Sequence, residues 1–249
     1  MSDLSIAANE GITTVTLRRG KVHPLNESYV IEIARCFEDL KTDTRTRAII
    51  LTGEGSFFSF GLDVPDLYSY SKDDFARFLR LFTKLYRDLY LYPKPIVAAI
   101  NGHCIAGGTM LAMSCDCRLM VPGKAKISLN EITFGSSVFA GATAILRYLV
   151  GQSHAETILL SGDMYSAERA LELGLIDGVV AADDLAGQAH DVAALLASKH
   201  GPAFAAIKGL LREPVVAGFA DLEEESIQQF NAIWYSAVLR ENLKGIKID

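Results

Sequence analysis

Two short apolar runs, "AIIL" at 48–51 and "IVAAI" at 96–100, each lead directly into glycine, as "TGEG" and as "NGHCIAGG". Runs this short and this uniformly apolar read as strands buried on both faces. Such strands sit in parallel sheets and need crossover connections. The crossovers are present. Apolar residues at 75, 78, 79, 82, 85, 86 and 89 mark a long amphipathic helix from Asp73 to Tyr92, which Pro93 and Pro95 end. After the second glycine cluster, "TMLAMS" opens a buried helix.

The rest of the chain extends this pattern. "ITTVTLRR" (12–19) and "CRLMVP" (117–122) read as strands. Asn26 can cap a helix whose buried face holds Val30, Ile33, Ala34, Phe37 and Leu40. "AKISLNEITFGSSVFAGATAILRYLVG" runs from a short strand through a loop into a helix, and helices are expected at 153–161, 166–173 and 184–200. Beyond 202 the pattern is helical to about 243. These readings give an α/β core over 1–190 and a helical region over 191–249. A helical appendage without a core of its own is expected to pack on a partner subunit.

Composition narrows the function classes. Half of the residues are hydrophobic and 22% are charged, enough for a sizeable core. The net charge of −6 and the lack of any Lys/Arg block argue against nucleic-acid binding. The longest apolar stretch, around 96–113, is broken by Asn101, His103 and glycines, so no membrane span is expected. "MSDLSIAANEG" has neither a basic nor a long apolar segment of a signal peptide. Cys36, Cys104, Cys115 and Cys117 lack zinc-site spacing and read as reduced thiols, which suits a cytoplasmic location. No metal site is expected.

The second glycine cluster, Gly102 to Thr109, approaches the phosphate-binding pattern G-x-x-x-x-G-K-[ST], but Gly108 stands where the lysine belongs. Bare backbone amides after a glycine turn suit a smaller target, an enolate or tetrahedral oxyanion. Spacing alone leaves open whether the glycines serve an anion or merely close packing. The turn "FFSFGLDV" (57–64) follows the other strand, so the amides of Leu62 and Gly107 form a possible donor pair.

Three segments resemble the crotonase superfamily, the enoyl-CoA hydratase/isomerase family. "SFGLD" (59–63) is similar to its SAG-x-D segment, and "AINGHCIAGGTMLAMSCDCRL" (99–119) to its NG-x-x-x-GGG segment. "YSAERALELGLIDGVV" (165–180) is similar to its A-x-x-A-x-x-x-G-L-V segment. The resemblance runs over about 5–185 in the right order. It implies a spiral of ββα turns, a C-terminal helical region that completes the acyl site, and a trimer or hexamer. It also implies a CoA thioester substrate, with CoA the only cofactor-like group and no separate cofactor. Leu62 and Gly107 then supply the oxyanion amides. Lys21, His23 and Asp63 become candidates on the CoA side.

Hydratases of the family use two glutamates. Met110 stands at the first position, and a thioether cannot exchange protons usefully. Glu131, in "LNEITFG", stands at the second. The wording of these segments most resembles the Δ3,Δ2-enoyl-CoA isomerase branch, which works with one glutamate at this place. Phe58, Phe60, Leu62, Met110, Phe134 and Phe139 are the expected apolar wall. The alternatives are a weak hydratase, a thioester hydrolase, a non-catalytic acyl-CoA binder, or a dienoyl-CoA isomerase using an extra acid such as Asp63 or Asp66.

Overall fold

A computed structural model describes residues 2–246. The chain opens with an antiparallel pair, β1 (Leu4–Asn9) and β2 (Ile12–Leu17). It continues through α1 (Glu27–Thr42), β3 (Ala48–Gly53), β4 (Phe57–Ser59), α2 (Val64–Leu67) and α3 (Lys72–Tyr90). The next turn is β5 (Ile96–Ile100), β6 (His103–Ile105) and α4 (Gly107–Met113). Then follow β7 (Cys117–Met120), β8 (Ile127–Ser128), a 3₁₀ turn (Glu131–Phe134) and α5 (Ala140–Ser161). The chain closes with α6 (Ala167–Glu172), β9 (Gly178–Val179), α7 (Leu185–Ala197), α8 (Gly201–Trp234) and α9 (Ala237–Leu243).

Two sheets result. The larger has the order β1-β2-β3-β5-β7-β9, and the smaller has the order β4-β6-β8. Apart from β1–β2, every pair is parallel. From β3 to β8, each turn of the chain gives one strand to the large sheet and the next to the small one before a helix returns. This is the ββα spiral that the resemblance implied. The wholly apolar β5 is buried at every position, as a strand covered on both faces must be.

Local signals hold up well. Asn26 caps α1 by accepting from Tyr29 N at 3.1 Å, and α3 buries every apolar position expected of it. The helices expected on either side of residue 151 are one element, α5, kinked at Gly151 (φ 76°, ψ 166°). β1 has no counterpart in the sequence reading: it is an edge strand, mostly exposed, with little alternation to betray it.

The division at 190 is corrected. It falls inside α7, whose Leu185, Ala189 and Ala193 are buried and which packs on β2, β3, β5 and β7. The helices that leave the large sheet begin with α8, which lies on α3 and α5. A buried ionic cluster fastens α8 to the end of α4. Asp116 Oδ2 accepts from Lys208 Nζ at 2.9 Å, and its Oδ1 pairs with Arg212 Nη2 at 3.0 Å. Arg212 also donates to Tyr90 O at 2.7 Å and lies over the Tyr90 ring. Burial pushes the Lys208 ammonium down to about 8 even with Asp116 beside it. α8 also caps α5. Glu223 Oε2 accepts from Gly141 N at 2.7 Å, and Ser226 Oγ from Ala140 N at 3.0 Å. These supply acceptors that Phe139, at the N-cap, cannot offer.

Candidate active site

The first amide comes from the turn between β4 and α2. Gly61 adopts φ +88°, which an L side chain resists. Its carbonyl accepts from Leu25 N at 2.7 Å, and Asp63 N donates to Leu25 O at 2.9 Å. The amide of Leu62 lies between these two bonds and makes none among the described residues. Arg19 holds the turn from outside, donating to Asp63 Oδ2 at 2.6 Å and Pro24 O at 2.7 Å.

The second amide comes from the turn between β6 and α4. Ala106 N donates to Ser128 O at 2.8 Å, and the chain then turns through Ala106 at φ 50°, ψ −118°. That conformation is sparsely populated for a residue with a Cβ. Gly107 begins α4, and its amide has no acceptor among the described residues. The glycines divide the labour left open by spacing. A methyl at Gly108 would lie 2.5 Å from Ser59 O, and one at Gly102 would lie 1.9 Å from Ser56 O, so these two serve close packing.

Pairing of β6 with β8 brings the third element in. Ile105 stands opposite Ser128, so the 3₁₀ turn starts beside the α4 turn. Its first residue, Glu131, is 7% exposed, and its Oε2 has no hydrogen-bond partner among the described residues. Burial pushes the carboxyl up to about 8, opposed only by a bond to its own backbone.

These groups line one cavity of about 410 Å³. Leu62, Gly107, Met110, Glu131, Phe60, Phe134 and Phe139 all border it, as the sequence predicted. Glu131 is the one ionisable side chain among the described lining residues. Three expectations are corrected. Phe58 is wholly buried in the core, away from the cavity wall. Asp63 is engaged by Arg19 and caps α2 by accepting from Asp66 N, so it shapes the first turn and does not border the cavity. His23 is 1% exposed and its Nε2 is 2.8 Å from Glu54 O, which removes it from contact with a ligand. Lys21 is exposed nearby but outside the cavity wall.

Other wall residues escaped the sequence reading. Phe82 comes from α3, Phe230 and Trp234 from α8, and Leu243 from α9, and Asn130 and Ser136 flank the 3₁₀ turn. Phe82 was legible as buried, but its proximity to Gly107, 3.1 Å from where a methyl on that glycine would sit, depends on tertiary packing.

The arrangement suits one kind of chemistry. Two unpaired amides can hold an oxygen that gains negative charge, and a buried carboxylate can take a proton beside it.

The Enoyl-CoA hydratase/isomerase family profile matches residues 7–244. The chain is 29% identical over 248 residues to a probable enoyl-CoA hydratase of Bacillus subtilis, covering 98% of this chain and 95% of that one. It is 29% identical over 226 residues to the mitochondrial enoyl-CoA delta isomerase 1 of Rattus norvegicus, covering 89% and 78%. Its fold is similar to the crystal structure of human mitochondrial Δ3,Δ2-enoyl-CoA isomerase, with a TM-score of 0.93, 24% identity, and coverage of 98% and 96%. With the ββα spiral, the facing glycine turns and the buried glutamate in place, the chain belongs to the enoyl-CoA hydratase/isomerase family.

Proposed function

We propose that this enzyme moves the double bond of an enoyl-CoA from the 3 to the 2 position, with Glu131 as its only proton carrier. The observation that carries this reading is the lone ionisable group in the cavity: Met110 borders it where hydratases of the family place a second glutamate.

The thioester oxygen accepts from the amides of Leu62 and Gly107. Glu131 takes a proton from C2, and the C–H electrons move toward the carbonyl to give a dienolate. The neutral Glu131 returns its proton at C4 as the C2–C3 double bond forms and the oxygen gives back its charge. No atom is gained or lost, so no second acid, metal or cofactor enters beyond the CoA that the substrate carries. Burial favours the neutral acid, which makes the carboxylate a stronger base once formed. The apolar wall keeps water from quenching the dienolate. A dienoyl-CoA isomerase would need another acid at the acyl chain, but Asp63 is held by Arg19 and Asp66 by Asn26.

Lys21 stays a proposed contact for the CoA phosphates, being exposed on the loop beside the first turn. Assembly as a trimer or hexamer fits the outward leucines of α8, with Leu210 78% exposed. Unpaired cysteines at 36, 104, 115 and 117 fit a reducing, cytoplasmic setting. No described helix is long and apolar enough to cross a membrane.

The test is to supply a 3-enoyl-CoA and follow the absorbance of the conjugated thioester, with hydration of a 2-enoyl-CoA as the control. Conjugation that disappears in Glu131→Gln supports the reading, and hydration as fast as conjugation overturns it.

A further inference from the structure

We propose that the Ala106 methyl is part of the oxyanion site: it is held against the Gly107 N–H so that this amide serves one negatively charged oxygen and no water. This deepens the reading above and rests on the amides of Leu62 and Gly107 holding the thioester oxygen.

Ala106 is a residue with a Cβ at φ 50°, ψ −118°. That ψ lies far from the left-handed helical region, the usual refuge of a side chain with positive φ. Glycine takes such a conformation without steric cost. The chain fixes it from both sides. Ala106 N donates to Ser128 O at 2.8 Å, and Ala106 O accepts from Met110 N at 3.1 Å. Strain held this firmly is characteristic of residues with a task at a site.

Stereochemistry gives the task. The tetrahedral Cα sets Cβ a third of a turn from N, so at ψ −118° the Cα–Cβ bond eclipses the bond from the Ala106 carbonyl carbon to Gly107 N. No peptide among the described residues is cis, and in a trans peptide the N–H lies on the side of the preceding Cα. The methyl therefore flanks the Gly107 hydrogen. Ala106 borders the cavity and, with both its polar groups engaged, shows carbon to it. The first turn is close as well: a methyl on Gly61 would lie 3.0 Å from Ala106 Cβ. An amide open on all sides shares its hydrogen with water. Closing one side with carbon leaves room for one acceptor, and a donor freed of water acts more strongly on charge. The gain is larger for the dienolate oxygen than for the neutral thioester, and that difference is what lowers a barrier.

Two variants separate the methyl from the strain. Ala106→Gly keeps both backbone bonds and removes only the methyl. Ala106→Ser keeps Cβ and puts a competing hydroxyl beside the amide. Butyryl-CoA, neutral at the thioester, and acetoacetyl-CoA, which ionises to an enolate, are titrated into each protein by calorimetry, and each protein is unfolded in urea. The unaltered protein is expected to favour acetoacetyl-CoA. Both variants are expected to reduce that preference roughly threefold to tenfold, less than the about 10²- to 10³-fold worth of a whole donor. Only Ala106→Gly is expected to unfold at higher urea, since only it relieves the backbone. In the conjugation assay both variants lower kcat more than they change KM.

A preference unchanged in Ala106→Gly overturns the proposal. So does a preference that Ala106→Ser retains, which traces the loss in Ala106→Gly to a slackened backbone. A lower urea midpoint for Ala106→Gly also overturns it, because the methyl is then a packing group. If Ala106→Ser does not fold, Ala106→Gly decides. Neither ester has a double bond to shift, so failure here leaves the isomerase reading standing, and failure of the conjugation assay leaves this selectivity standing.

Discussion

Gly61 and Gly107 meet face to face: a methyl on Gly61 would lie 2.9 Å from the Gly107 amide nitrogen. The two turns that carry the Leu62 and Gly107 amides are thus in close contact. Gly61→Ala would meet this backbone and would also strain φ +88°. Its expected cost is about 1–3 kcal/mol of stability, with kcat/KM for conjugation lowered at least about tenfold. Denaturant unfolding and the conjugation assay measure the two effects, and an unchanged rate would separate the turns from the chemistry.

Glu131→Gln is expected to lower kcat by about 10²- to 10⁴-fold, the usual worth of a general base, while acyl-CoA affinity changes little. Single-turnover and binding measurements together check this.

The same carboxyl makes the enzyme pH-dependent in a stated direction. Burial holds its proton in the free native state up to about pH 8, and base catalysis needs the ionised form. The kcat/KM profile should therefore climb through about pH 8 on its acid limb. Stability runs the other way. The native state binds this proton between its ordinary unfolded value and about 8, so stability falls as pH rises across that window. Glu131→Gln is expected to stabilise the protein at pH 9 by about 3–5 kcal/mol and to make no difference near pH 4. Thermal melts at both pH values supply the test.

With Met110 in the cavity wall, crotonyl-CoA hydration should run at least about 100-fold slower than conjugation of a 3-enoyl-CoA, the loss expected when one acid–base partner is missing. A direct rate comparison on one preparation tests it.

Asp116→Asn leaves Lys208 and Arg212 buried without their counter-ion. The expected loss is about 3–5 kcal/mol in urea unfolding, much more than an exposed pair such as Lys41–Glu38 would cost.

The sequence carried the strands and the two glycine turns well because both depend on near neighbours. β5 announces itself by five apolar residues in a row, and α3 by its spacing. Leu62, Gly107 and Glu131 were legible because their turns carry family wording that fixes their order. The far wall was not. Phe230 and Trp234 lie about a hundred residues beyond Glu131, and nothing local distinguishes a ring that borders a cavity from one that fills a core. Phe58 failed for the same reason in reverse. His23 and Asp63 misled because a polar residue near a site reads as a ligand contact until its partners, Glu54 O and Arg19, are seen.

The amides and the glutamate are spelled out between residues 62 and 131, whereas the aromatic end of the chamber is contributed by α8 and α9. The chamber is therefore closed by two stretches far apart in the chain, and truncation before α8 would leave the glutamate and both turns without the aromatic wall opposite them.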